Sequence, residues 1–211
     1  MIEYPSGSWT TDLKIPGAFV RDFSLYFEEM WDDYCDIRSE TYERLFIMWL
    51  LAKEASSLDG DFVECGVFSG CTAWFMSRHC NNDLHLFDSW EGVTDFTEFD
   101  NDIYREMSWK INLEPVTKTM AGLDNVKIHH GEVPFEFDQV ENISLLHIDM
   151  DNYNPTKIAI ENLWHKVVPG GMLVVDFHDG IASGAQKAAT DFFAGVREAV
   201  MLPTGKAIYI K

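Results

Sequence analysis

Asp61-Phe62-Val63-Glu64-Cys65-Gly66-Val67-Phe68-Ser69-Gly70-Cys71-Thr72 reads as a short buried strand, a glycine turn and the start of a helix. Phe62 and Val63 are strand-forming residues. Glu64 closes the strand with a carboxylate. Gly66 and Gly70 remove side chains where a ligand approaches the backbone. Ser69 and Thr72 fall near the helix start, where a hydroxyl caps free N–H groups. Such a junction is a ligand site in open α/β sheets. The bland alternative is a turn that only joins strand to helix.

The spacing separates cofactors. A nicotinamide site needs G-x-G-x-x-G, and a phosphate loop needs G-x-x-x-x-G-K-[ST]. This chain has E-x-G-x-x-x-G, one glycine short of the first, and no Lys follows Gly70. An acidic strand end with two glycines suits S-adenosylmethionine (SAM), which lacks phosphate and carries an ammonium, a sulfonium and a ribose diol.

The 211 residues suffice for one α/β domain with a core. Hydrophobic content of 46% and aromatic content of 14% exclude disorder. Sixteen basic against 35 acidic residues give a net charge of −19. That charge repels nucleic-acid backbones and anionic membranes, so neither is expected as a partner. Cys35, Cys65, Cys71 and Cys80 form no C-x-x-C pair and read as reduced thiols. With no leader pattern and no apolar run of about 18 residues, a soluble cytoplasmic protein is expected.

Residues 1–38 are acidic and aromatic, and Phe19, Phe23, Phe27, Met30 and Trp31 predict an amphipathic helix from Gly17 to Asp33. Its apolar side covers the core, closes over a substrate or forms a homodimer contact. Residues 39–211 form the main domain. A buried helix is expected over Tyr42–Leu58 with Ser39 as N-cap, and another over Ala73–Cys80. Leu84–Phe87 is a second strand ending at Asp88, whose acceptor-only carboxylate suits two ribose hydroxyls. A long insertion follows, with helices near Tyr104–Ile111 and after Pro115. Strands at Val126–His130, Ile143–Ile148 and Met172–Val175 come next. His129 and His130 point to opposite faces, so they share no metal. Asn154-Pro155 reads as a helix start, and 184–196 as a helix with Ala185, Ala188, Ala189, Phe192 and Phe193 inward. Ala199–Leu202 and Ala207–Ile210 close the chain as a hairpin. Seven strands alternating with helices predict an α/β, doubly wound, mostly parallel sheet covered on both faces.

Glu64, Asp88, Asp149 with Asp151, and Asp176 all stand at strand ends, hence on one edge of the sheet. Like charges gathered there repel. A cation is the economical remedy: the cofactor near strand 1, and a divalent metal such as Mg²⁺ near strands 4 and 5. Turn and cap roles are the alternative.

Four blocks resemble the macrocin O-methyltransferase family, SAM-dependent enzymes acting on sugar hydroxyls of macrolides and related natural products. Gly60 to Gly70 is similar to its cofactor motif. Leu86-Phe87-Asp88-Ser89-Trp90-Glu91-Gly92 is similar to its D-S-F-E-G signature. Ile148-Asp149-Met150-Asp151-Asn152-Tyr153-Asn154-Pro155-Thr156 matches I-D-x-D-x-Y-x-x-T, and Pro169-Gly170-Gly171 through Asp176 resembles P-G-G…D-D-Y. The likeness runs over about 39–195. It implies a Rossmann-like class I methyltransferase fold. It implies SAM held by Glu64, Gly66, Ser69, Gly70, Asp88 and Ser89, with Glu132 near the adenine. It also implies Asp149 as candidate general base, and Asp149, Asp151 and Asp176 as candidate Mg²⁺ ligands.

The chain departs from the pattern where D-D-Y becomes Asp176-Phe177-His178. One metal carboxylate is missing. Asp179 is a substitute ligand, and His178 a substitute base or ligand. The leading expectation is an O-methyltransferase acting on a hydroxyl of a small molecule, a sugar or glycosylated natural product. A SAM-binding protein without transferase activity is the alternative that Phe177 motivates. A nicotinamide-dependent reductase is disfavoured by the glycine spacing.

Overall fold

The computed structural model describes residue 23 and residues 41–106, 109–133, 136–178 and 181–211. The expected helix over 17–33, the Ser39 cap, Cys35 and Asp179 lie outside the described residues, Phe23 excepted. Phe23 is fully buried. Its ring packs 4.9–5.8 Å from those of Tyr42, Phe46, Trp49 and Phe75.

Helix α1 (Tyr42–Ala55) begins at Thr41, whose hydroxyl accepts from the Arg44 N–H at 3.4 Å. Glu43 in its first turn and Lys53 in its last complement the helix dipole. The helix ends three residues before the expected Leu58, in the turns that lead to Gly60. Strand β1 (Asp61–Cys65) and helix α2 (Cys71–Ser77) flank the glycine turn. Strand β2 (Leu84–Asp88) leads into the insertion, whose described residues hold the short helices α3 (Ile103–Glu106) and α4 (Glu114–Thr119). Then come β3 (Val126–His130), β4 (Ile143–Ile148), α5 (Tyr153–Leu163), β5 (Val167–Asp176), α6 (Ser183–Phe193), β6 (Val200–Met201) and β7 (Lys206–Ile210).

Two helix boundaries correct the expectation. The residue capping α5 is Asn152, not Asn154. Its side chain donates to the Thr94 carbonyl and so ties the helix start to the insertion. Helix α6 stops at Phe193 rather than at residue 196. Phe192 remains at the surface at 36% exposure, while Phe193 stacks on Tyr209.

The seven strands run in the order β3-β2-β1-β4-β5-β7-β6. Neighbours from β3 to β5 are parallel, and β7 is antiparallel to both β5 and β6. Side chains alternate across the sheet and build a core on each face. Phe62, Leu84, Leu86, Leu145, Val174 and Ile208 pack under α1 and α2. Val63, Cys65, Leu146, Ile148, Leu173 and Val175 pack under α5 and α6. Among the described residues no helix is long and apolar enough to cross a membrane.

Strand order reverses between β1 and β4. Ligands bind in the crevice that opens at such a switch point, beyond the carboxyl ends of the strands.

Candidate active site

The turn after β1 is held by the sheet itself. Gly66 N–H donates to the Phe87 carbonyl at 2.9 Å, and Asp149 N–H donates to the Cys65 carbonyl at 2.8 Å. Gly66 has φ +86°, and a Cβ there would lie 2.0 Å from the Asp149 carbonyl oxygen, so only glycine lets β1 and β4 approach. Gly70 has φ +85°, and a Cβ there would meet Val116 Cγ2 at 2.9 Å. Its lack of a side chain serves the packing of α4 rather than a ligand. Gly70 is also the N-cap of α2, with no side-chain cap, so neither Ser69 nor Thr72 plays the capping role expected of them.

Asp88 fastens the turn from the next strand. Its Oδ2 accepts from the Val67 and Phe68 N–H groups at 2.7 and 2.9 Å, and its Oδ1 accepts from Trp90 N–H at 2.7 Å. The Trp90 indole N–H in turn donates to the Phe68 carbonyl at 2.8 Å.

A cavity of about 610 Å³ opens at this edge. Glu64, Gly66, Asp88, Ser89, Glu132, Asp149, Asp151 and His178 all line it; Ser69, Gly70 and Asp176 do not. Val93, Ile103, Tyr104, Trp109, Ile158 and Ile181 supply apolar walls. Small-molecule sites are of this size and kind: largely apolar, with a few converging polar groups.

Several of the acidic strand ends meet donors of the protein itself, in addition to any ligand cation. Glu64 is buried beside His147, its register neighbour on β4, with His147 Nδ1 2.9 Å from Oε1. Burial pushes the Glu64 carboxyl up against the pull of His147. Its Oε2 has no hydrogen-bond partner. Asp176 is buried, and its Oδ2 accepts from both Arg44 of α1 and Lys206 of β7. Burial alone would raise its pKa, but Lys206 and Arg44 hold it far below the usual carboxylate range.

His178 sits among the remaining acids. Its Nε2 lies 3.0 Å from Asp149 Oδ1, 3.5 Å from Asp151 Oδ1 and 3.7 Å from Asp176 Oδ1. Burial works to lower the His178 pKa, but Asp149 and Asp176 outweigh it and raise the group to about 9. Asp149, although buried and close to Asp176, is drawn below its ordinary value by His178. Burial and the neighbouring Asp149 push Asp151 up to about 7. Asp151 and His178 both hold left-handed backbone, at φ +62° and +41°.

The three carboxylates expected to hold Mg²⁺ do not converge on a free position. Asp176 Oδ2 is taken by two cations, and its Oδ1 accepts the His178 backbone N–H at 3.0 Å. Phe177, where the family pattern has an acid, is buried in the core under α5 and α6. Among the described residues, the sets of three possible ligands that gather each include an imidazole: His147 with Asp149 and Asp176, and His178 with Asp149 and Asp151.

Several of these residues carried no usable sequence signal. His147 and Lys206 acquire partners only through strand register. Arg44 left one clue, a cation on the buried side of a largely apolar helix.

A family model described as macrocin O-methyltransferase (TylF) matches residues 51–201. Solved structures share the fold. The O-methyltransferase NovP is 19% identical with a TM-score of 0.67, over 87% of this chain and 88% of its own. The calicheamicin methyltransferase CalS11 is 16% identical with a TM-score of 0.68, over 99% of each chain. An O-methyltransferase from Bacillus cereus, solved in complex with SAH, is 12% identical with a TM-score of 0.55, over 95% of this chain and 94% of its own. No curated protein matches. Because the family match spans well over half of the chain, the protein belongs to the macrocin O-methyltransferase family and is a SAM-dependent O-methyltransferase.

Proposed function

We propose that the protein methylates a hydroxyl on a sugar or glycosylated natural product. The observation that carries this reading is the single cavity shared by the glycine turn and the Asp149–Asp151–His178 cluster. Cofactor and acceptor can therefore meet in one cavity. One structural neighbour supports the acceptor class: CalS11 is a TDP-rhamnose 3'-O-methyltransferase.

In this reading Glu64, Gly66, Asp88, Ser89 and Glu132 hold SAM, with Ser69 and Gly70 shaping the turn from behind. The acids around the turn favour the ammonium and sulfonium of the cofactor. Asp149 faces the acceptor. In the transfer the acceptor oxygen forms a bond to the methyl carbon as the carbon–sulfur bond breaks. Sulfur keeps that electron pair, giving S-adenosylhomocysteine, and the hydroxyl proton passes to Asp149 Oδ. Asp149 is suited to this because His178 keeps it ionised. Most of the acceleration comes from alignment of the two reactants.

Calorimetric titration with SAM, and with NADH as the control, tests the cofactor site. Saturable SAM binding and none of NADH is expected; the reverse would end this reading. Transfer of labelled methyl from SAM to a panel of glycosides tests the acceptor. Label appearing only on non-sugar hydroxyls would remove the sugar assignment.

Asp88→Ala releases the Val67, Phe68 and Trp90 N–H groups and loosens the turn. Unmet donors cost about 1–3 kcal/mol. A loss of roughly ten- to a hundredfold in SAM affinity follows. An unchanged Kd in the same titration would show that the turn does not depend on Asp88.

A further inference from the structure

We propose that this enzyme works without a divalent ion, the Nε2–H of His178 standing where one would bridge Asp149, Asp151 and Asp176. The inference rests on the proposed role of the cavity as the methyl-transfer site, but its test does not.

Nε2 faces all three carboxylates, at 3.0, 3.5 and 3.7 Å. Ligand atoms on a small divalent ion sit about 2.1 Å from it, so a bridging ion needs the position that the imidazole nitrogen holds. The ring's other nitrogen settles which one carries the proton. Nδ1 lies 3.4 Å from Arg44 Nη2. A guanidinium has donors only. Beside such a donor, a neutral imidazole leaves Nδ1 bare and keeps the proton on Nε2. A protonated imidazole also carries a proton on Nε2. In either state Nε2 is a donor toward the acids, and a metal at Nε2 would have to displace that proton and turn Nδ1–H toward the Arg44 donor.

Arg44 and Lys206 complete the arrangement. Both bond Asp176 Oδ2 and withdraw that carboxylate from any ion. The set formed by His147, Asp149 and Asp176 is disabled for the same reason. Phe177, turned into the apolar core, offers no replacement.

His178 is then more than a neutral filler. Its Nε2–H bonds Asp149 Oδ1, leaving the other Asp149 oxygen for the acceptor hydroxyl, while Asp151 Oδ1 lies near it at 3.5 Å without a hydrogen bond. Removing the ring while sparing the acids would leave two carboxylates beside open space, the kind of site in which a hard divalent ion keeps several waters.

The test is an electron paramagnetic resonance titration of untagged protein with Mn²⁺ alone, read as loss of the free-ion signal. The wild type is expected to show only the weak, multiple binding of an acidic surface. His178→Ala is expected to gain one site at least tenfold tighter than that background. His178→Gln, which keeps an N–H donor, is expected to resemble the wild type. Circular dichroism and SAM titration show whether each variant is folded, and a failed SAM titration would count against the cofactor reading alone. A stoichiometric Mn²⁺ site in the wild type, lost in His178→Ala, would overturn the proposal. So would a folded His178→Ala protein that gains no site. If His178→Ala does not fold, the wild-type titration decides alone.

Discussion

Asp149→Asn is expected to lower kcat by roughly 10²–10⁴-fold, the usual contribution of a positioned proton acceptor, with SAM affinity unchanged. The substitution keeps size and shape but removes the charge that takes the hydroxyl proton. It also replaces an acceptor-only carboxylate with an amide that turns a donor toward either His178 or the substrate. The glycine turn is untouched, because the sheet contact to Cys65 is made by the Asp149 backbone N–H. The measurement is steady-state methyl transfer to the best glycoside acceptor, paired with calorimetric SAM binding. A variant with full turnover would show that Asp149 is not the acceptor. A variant that loses SAM as well as turnover would place the residue in cofactor binding.

The sheet and its order of elements were legible because both faces are covered. Strands buried on two sides are apolar at both alternating positions, as in Leu84–Phe87, broken only by His85, and Ile143–Ile148, broken only by Ser144 and His147, and each run ends at an acid. Helix ends were less legible. The Asn154-Pro155 pair looks like a start, yet Asn152 begins the helix two residues earlier because its side chain is needed at the Thr94 carbonyl. That partner lies in the insertion, far away in sequence. In the insertion the helix expected to reach Ile111 does not do so, since residues 109–111 are not helical.

The candidate site was half legible. Its acids could be read from the strand ends, and most of them line one cavity. Their partners could not be read, because register decides them. Glu64 meets His147, and Asp176 meets Lys206, across strands far apart in sequence. Glu64 and His147 share the α1 side of the sheet with Phe62 and Leu145. Asp176 likewise follows Val174 by two residues on β5. That face is apolar along most of its length and becomes a network of charges only at its carboxyl end. Four acidic strand ends therefore do not by themselves call for four external cations. Four cationic or imidazole partners, His147, Arg44, Lys206 and His178, and a set of backbone N–H groups answer most of their oxygens. The same network bears on the metal assignment: Asp176 has the right residue type and position, but its Oδ2 accepts from Arg44 and Lys206 and its Oδ1 from the His178 N–H.

That network makes the second large effect one of stability. Asp176→Asn is expected to destabilise the fold by about 3–5 kcal/mol, the cost of leaving buried charges without their counter-ion. Arg44 and Lys206 both converge on Asp176 Oδ2, and the Lys206 and Asp176 side chains are fully buried. An amide would offer them one neutral acceptor. For a domain of this size the midpoint of thermal unfolding falls by about 2–4 °C per kcal/mol, so a drop of roughly 6–20 °C is expected. Lys206→Met added to Asp176→Asn removes one stranded cation and is expected to restore part of the loss, a coupling that a double-mutant cycle reads directly. The pH dependence has a definite sign. Asp176 has a depressed pKa in the folded state, so its contribution is complete above its unfolded value of about 3.9 and drains away as pH falls below that. Denaturant unfolding of wild type and variant at neutral pH and in acid should therefore show the two curves converging as the solution becomes acidic. Curves that stay parallel would mean that Asp176 is not the group through which Arg44 and Lys206 are held, and α1 would owe its place over the sheet to Phe46, Trp49 and their apolar neighbours alone.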